Sequence, residues 1–571
     1  DNDRARTMTA LSDKFSARLA RLNFFGRGND DPLTNLKTAT RWSEHLPAGD
    51  PVKSQDAYVQ ELRRFNDNLT DFSKDRLSVL MVLDEKSRDL QDTLVRQYLR
   101  NPRMSRTVES QLWHAIYSLY WEVARGYHLF VREFSRHAKK CPYENQIPLL
   151  TLRAIRNFGL LLKWRAVRYL QPGEKLWLRL HSLYRIAESE GFQQLVQQAY
   201  PEETLRCTCE TTYIHALMLD LANSGTLYPR QIDLVDRWLS GWHASFKLES
   251  RLNTEQHNFV VDLSLDSGPR RARTPGDNAA KRYWSTAALL LRLEEIKAEI
   301  HRGTSPAMLG LSEDARTAEA MDLLKHLEHQ WAALSSREQR RAPRIATKRM
   351  LDVAHGFGSI LTQLKTSAGR TGASPYDSGL DYMEANDVRI YGYVTEQTRE
   401  RSTLMKAPPG SKHKDVERWV MNDESESGYG SIVETQDKDW LRVGTLVAVK
   451  SQEGDGWRIG MIRRLSRIND ESSSVGIEIL APDPVLVMLY DTRSAAYTVD
   501  GFDNSGAQLP IASLWLPVAT GSGSLIIDPA HFQSGKVFAV EGIEGEKYIR
   551  LGHPLEHSEG WMHVTAELVQ G

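Results

Sequence analysis

Cysteine is scarce: the chain of 571 residues has three, Cys141, Cys207 and Cys209. They are too few for a disulfide framework and suit a reducing compartment, so the cytoplasm is the expected location. Long apolar runs are missing as well. Leu77–Leu83 and Ala287–Leu291 fall far short of the roughly 20 residues that cross a bilayer, and no membrane span is expected. The start at Asp1 carries no signal-type hydrophobic core. Charge of one sign is also lacking, with 73 basic against 74 acidic residues. That balance removes a global drive toward nucleic acid or anionic lipid and makes nucleic acid an unlikely partner. The patterns G-x-x-x-x-G-K-[ST], G-x-S-x-G and H-E-x-x-H do not occur, and no nucleophile–base pair can be read. Neither an enzyme, a cofactor nor a metal site is expected.

What is present divides by period. Residues 1–50 are polar, broken by Gly26, Gly28, Pro32, Pro47 and Gly49, and read as an N-terminal arm. Residues 51–335 show helical spacing, as in Tyr58, Leu62, Phe65 and Leu69. The aromatic-rich stretch Ser110–Phe134 marks a central buried helix. Further helices are expected over 147–170, 173–191, 203–221, 228–240, 283–300 and 312–334, with breaks at Pro/Gly turns. Phe259–Leu265 reads as a strand. Helix pairs joined by short turns indicate an all-α bundle or solenoid. From 336 the period changes to that of strands: 336–483 reads as one β-domain with an insertion at about 366–414. Residues 484–571, with short strands at regular spacing, read as a small barrel or sandwich.

Two motifs flank that insertion. Ser336–Arg344 is an arginine-dense strap in which Pro343 stops any incoming helix, and Arg340, Arg341 and Arg344 carry planar guanidinium forks. Such forks grip phosphate oxygens and guanine edges in bidentate fashion. The second motif, Asp423-x-Ser425-x-x-Gly428, follows the strand-like Glu417–Met421. It offers a carboxylate, a hydroxyl and a glycine where backbone passes close to something flat.

Together these resemble the PilZ family, β-barrels that bind cyclic di-GMP through an R-x-x-x-R strap and a [D/N]-x-S-x-x-G turn. Arg340 and Arg344 fit the first motif; Asp423, Ser425 and Gly428 fit the second. The resemblance implies that Arg340 and Arg344 clamp phosphate or the O6/N7 edge of guanine, with Arg341 a spare cation. Asp423 would accept from guanine N1–H and the exocyclic amine, and Ser425 would meet a phosphate or base edge. The implied function is a cyclic di-GMP-responsive effector whose helical region meets a protein partner, with an oligomer compatible. The competing reading is a scaffold with a ligand-free barrel, the helical body binding protein or nucleic acid.

Other clusters read as structure. Cys207-x-Cys209 with His215 lacks zinc spacing and reads as core. His326-x-x-His329 reads as a solvated helix face, as do Arg153, Arg156, Lys163, Arg165 and Arg168.

Overall fold

The computed structural model describes residues 32–332, 345–367, 416–491 and 510–569, short stretches within them excepted. The helix expected near Leu11–Leu22, the strand expected at 387–394 and most of the insertion at 366–414 lie outside the described residues. Two compact units emerge, residues 1–100 with 112–150, and residues 101–111 with 151–571.

The first unit is helical. It holds α1 (Leu36–Glu44), α2 (Pro51–Asp67), α3 (Lys74–Arg100) and most of α4 (Arg106–His137). Asn35 and Asp50 start α1 and α2 by accepting from the amides of Thr38 and Lys53. Leu62, Phe65, Leu77, Leu80 and Leu83 are buried at the period expected of a core face. Glu122 is buried among them and is matched by Arg63 at 3.2 Å and by the Asn66 amide at 3.0 Å. A buried carboxylate needs such partners.

The second unit holds most of α5 (Ile147–Val167), then α6 (Leu176–Ser189), α7 (Cys209–Leu221), α8 (Pro229–Trp242), α9 (Ala287–His301) and α10 (Thr317–Trp331). Short strands interrupt it: β1 (Gln197–Gln198) with β2 (Arg206–Cys207), and the sheet of β3 (Phe259–Asp262), β4 (Arg270–Arg271) and β5 (Lys281–Trp284). Tyr283 and Trp284, expected in a helix, therefore lie in a strand. Both are buried beside β3, and Asn258 and Ser285 receive the amides of Thr286 and Ala287, so α9 starts only after them.

The β-half consists of two closed six-stranded barrels. The first runs β6 (Ile345–His355), helix α11 (Phe357–Ser367), β7 (Val416–Ser425), β8 (Gly428–Glu434), β9 (Leu446–Ser451), β10 (Arg458–Arg467) and β11 (Ser472–Ala481). Leu351, Met421, Tyr429, Val433, Ile462 and Val475 point inward and fill it. The second runs β12 (Val485–Asp491), β13 (Ile511–Pro517), β14 (Ser522–Ile527), β15 (Val537–Glu541), β16 (Lys547–Ser558) and β17 (Trp561–Val569). The fold class is therefore the one the sequence indicates: α-helical first, then a barrel, then a smaller β-domain, which is a barrel. No described helix is long and apolar enough to cross a membrane.

The parts of this unit are joined closely. Leu446, Ala448, Ile459 and Met461, on the outside of the first barrel, share an apolar core with Ile360 of α11 and with Leu514, Leu516, Ile526 and Trp561 of the second. Arg463 adds a bidentate pair with Glu556, at 2.6 and 3.1 Å. On another side the helices reach the first barrel through Tyr169, whose carbonyl accepts from the Arg467 amide at 2.8 Å. Gln171 Nε2 donates to Ser466 Oγ at 2.7 Å.

Candidate functional site

The chain enters the first barrel at Ile345, the residue after Arg344. Antiparallel pairing of β6 with β7 sets Ile345 opposite Glu424 and Ala346 opposite Asp423. Distance along the chain does not keep the described end of the strap's continuation away from the second motif. Arg340, Arg341 and Arg344 themselves lie outside the described residues. The incoming helix ends at Trp331, whose ring is fully buried and donates to the Met218 carbonyl at 3.2 Å.

The second motif is less of a turn than its sequence implies. Asp423 and Ser425 belong to β7, the turn proper is Glu426 and Ser427, and Gly428 opens β8. Ser425 is buried, and its hydroxyl donates to the Gly428 carbonyl at 3.2 Å, closing the hairpin. A β-carbon on Gly428 would lie 2.2 Å from the Ile477 carbonyl oxygen. The close neighbour of this glycine is thus the backbone of β11. Asp423 leans over the next glycine but one: its carboxylate oxygens are 2.6 Å from where a β-carbon on Gly430 would be. Sequence reasoning did not single out Gly430; its signal was the repeat Gly428-Tyr429-Gly430, glycines alternating with an inward ring. Tyr429 is buried and its hydroxyl accepts from Arg458 at 2.8 Å. Arg349 of β6 lies 3.9 Å from Glu424, next to the motif, a distance at which a largely exposed pair contributes little.

The basic row on α5 is not a solvated face. Arg153 and Lys163 are only 2% and 5% exposed. Lys163 is held by Asp233 at 2.7 Å and Asp236 at 2.6 Å, Arg156 by Glu203 at 2.6 Å, and Arg168 by Glu109 at 3.2 Å. Arg153 donates to the Ala199 carbonyl at 2.8 Å and lies over the Tyr200 ring. The expectation failed because α5 is covered on several sides, and acids supplied by distant parts of the chain offset the cost of burying these charges.

His326 also departs from the solvated-face expectation. It is partly buried, its ring donates to the Ala222 carbonyl at 2.8 Å, and burial lowers its pKa. Cys209 is the first residue of α7 and fully buried, and burial pushes its thiol up. His215 pairs with Asp236 at 2.7 Å.

Comparison with known proteins gives two family matches. Residues 37–254 match the family described as "Cyclic-di-GMP receptor FimW, N-terminal domain", and residues 368–484 match "Cyclic-di-GMP receptor FimW, middle PilZ domain". The second match runs across the stretch assigned to an insertion. The chain is similar to the cyclic-di-GMP receptor FimW of Pseudomonas aeruginosa, with 23% identity over 358 residues, which is 58% of this chain and 58% of that relative's length.

Proposed function

Since the chain is a PilZ-family protein with a helical N-terminal region, we propose that it is a cyclic di-GMP-responsive effector, not an enzyme. On this reading Arg340 and Arg344, with Arg341 as a spare cation, grip the nucleotide from the strap. Asp423 accepts from a guanine edge, with Ser425 and Gly428 completing the motif. The observation that carries the reading is the pairing of Ile345 and Ala346 with Glu424 and Asp423, which brings the chain beside the second motif directly after Arg344. The similar receptor from P. aeruginosa supports the choice of ligand.

Output follows from where the strap is tied. It runs between Trp331, anchored in the helical body, and Ile345, anchored in the barrel. Ordering it on a nucleotide biases the helices relative to the barrel and so alters binding of a protein partner or assembly, with no bond made or broken. The working division is 1–50 arm, 51–335 helical body, 336–483 first barrel and 484–571 second barrel. The cytoplasm is the proposed compartment, in keeping with three free cysteines.

The scaffold reading draws on one specific observation. The Ser425 hydroxyl is used in closing the hairpin and the space at Gly428 is filled by β11, roles that need no ligand. Calorimetric titration of cyclic di-GMP into the full chain decides, with Arg344→Ala and Asp423→Ala alongside. Micromolar or tighter binding, about −8 kcal/mol or better, lost in both variants, supports the sensor. Absence of binding by the unaltered chain leaves the scaffold.

A further inference from the structure

β-Bulges decide which side chains share the outer face of the first barrel. Register shifts fall between Met421 and Asp423 on β7 and between Ile462 and Arg464 on β10. Each inserts one extra residue, Asn422 and Arg463, and so turns the next one outward. The outcome is a single row across four neighbouring strands: Asp423, Gly430, Gly476, Arg464. The inward residues on either side, Met421, Tyr429, Val475 and Leu465, are buried in the barrel.

The middle of the row is two glycines directly opposite each other, a stretch of sheet with no side chains. Asp423 leans in over Gly430 from one end. Arg464 leans in from the other, with its Cβ 3.3 Å and its Nε 3.8 Å from where a β-carbon on Gly476 would sit. With about 4.8 Å between strands, the α-carbons of the acid and the arginine are roughly 14 Å apart. Both side chains can lie this low only because the floor between them is glycine.

Among the described residues, Arg464 differs from its neighbours in having nothing to hold. Arg463 is fully engaged by Glu478 and Glu556, and the exposed Arg418 pairs with Asp352 at 3.1 Å. Arg464 is exposed, and among the described residues it has no ion-pair or hydrogen-bond partner. It also sits at a joint: a β-carbon on Gly225, in the turn Ser224–Thr226 of the helical body, would be 3.1 Å from the Leu465 carbonyl and 3.9 Å from Arg464 Cγ.

We propose that Arg464 is a further nucleotide-binding residue, gripping a phosphate or the O6/N7 edge of guanine at the opposite end of the glycine row from Asp423. The acid end suits a guanine's N1–H and amine, and the arginine end suits the anion or the acceptor edge. The floor admits a flat ring close to the backbone. This rests on the proposed cyclic di-GMP reading and adds to it: because Arg464 adjoins the Ser224–Thr226 turn, a nucleotide held there bears on the joint between helices and barrel. Occupancy is then felt by the helical body directly, besides any effect through the strap.

The test is calorimetric titration of cyclic di-GMP into the full chain and into Asp423→Ala, Arg464→Gln and Arg464→Lys. Glutamine keeps the aliphatic stem over Gly476 and removes the charge; lysine keeps charge without the planar fork. Expected are a ten- to hundredfold weaker Kd for R464Q, as for loss of a charge-assisted hydrogen bond of about 1.5–3 kcal/mol. R464K should fall between, the thermal midpoint without nucleotide should not move in either, and R464Q should show a shallower loss of affinity with salt. Wild-type affinity and salt dependence in R464Q, with binding lost in D423A, overturn this inference while leaving the nucleotide reading intact. No binding by the unaltered chain removes that reading, and this one with it.

Discussion

The hydroxyl of Tyr228 lies 1.7 Å from the point where a β-carbon on Gly444 would be. Gly444 also holds φ at +81° and donates its amide to the Ile462 carbonyl at 2.7 Å. Two separate demands, one local and one across the joint between the helical body and the first barrel, call for glycine at this position. Gly444→Ala should therefore cost about 1–2 kcal/mol from left-handed backbone alone, and more from the clash. A lower thermal midpoint and faster amide exchange at Arg467, which is bonded to Tyr169 across the same joint, are the expected readouts. Adding Tyr228→Ala should recover the clash and leave the strain.

Lys163 decides the stability of the helical body in the second unit. Burial would raise the carboxyl of Asp236, yet Lys163 and His215 hold it well below the usual carboxylate range. Lys163→Met leaves Asp233 and Asp236 without their buried counter-charge and should destabilise by about 3–5 kcal/mol. Adding Asp233→Asn and Asp236→Asn should return much of that loss. Urea unfolding followed by circular dichroism measures both; an undiminished midpoint in Lys163→Met would contradict the buried network.

His181 makes the same body sensitive to acid. It is fully buried, Nε2 donating to the Ser267 carbonyl at 3.1 Å and Nδ1 accepting from the Tyr213 hydroxyl at 2.7 Å. Burial pushes its pKa down to about 4, against about 6.5 in an unfolded chain. Between these values the unfolded chain binds the extra proton, so the contribution is whole above about pH 6.5 and is lost as pH falls toward 4. The loss should reach no more than about 3 kcal/mol. His181→Gln should be less stable at neutral pH and should show a flatter stability profile between pH 7 and 4.5.

At the seam between the barrels, packing should outweigh charge. The Arg463–Glu556 pair is partly exposed and should contribute on the order of 1 kcal/mol or less. Trp561 is buried in the shared apolar core, and Trp561→Ala should cost about 3–5 kcal/mol. Calorimetry of Glu556→Gln and Trp561→Ala compares the two; equal effects would mean that packing does not outweigh the ion pair at the seam.

Much of this was legible in residue order. The aromatic period over Ser110–Phe134 marked α4, and the change to strand spacing after 336 marked the β-half. Strand β17 escaped because the buried His563 interrupts its apolar alternation, with its ring bonded to Ser524 at 2.7 Å. Helix α11 escaped because it begins just after Gly356, at a positive φ, and runs into the polar stretch that reads as an insertion. The charges on α5 misled because their partners, such as Asp233 and Asp236 of α8 for Lys163 and Glu203 for Arg156, are supplied from far along the chain. The setting of the second motif was not legible. Whether Asp423 faces outward depends on the bulge at Asn422, and a bulge is settled by the strands on either side.

Both barrels are closed, with every strand paired on two sides. Among the described residues no strand of either barrel is a sheet edge along its whole length, which leaves little open backbone for a partner, or a second copy of this chain, to pair with by strand addition. Recognition by the β-half then falls to side-chain faces and loops, where the nucleotide of the proposed function would itself become part of the surface presented.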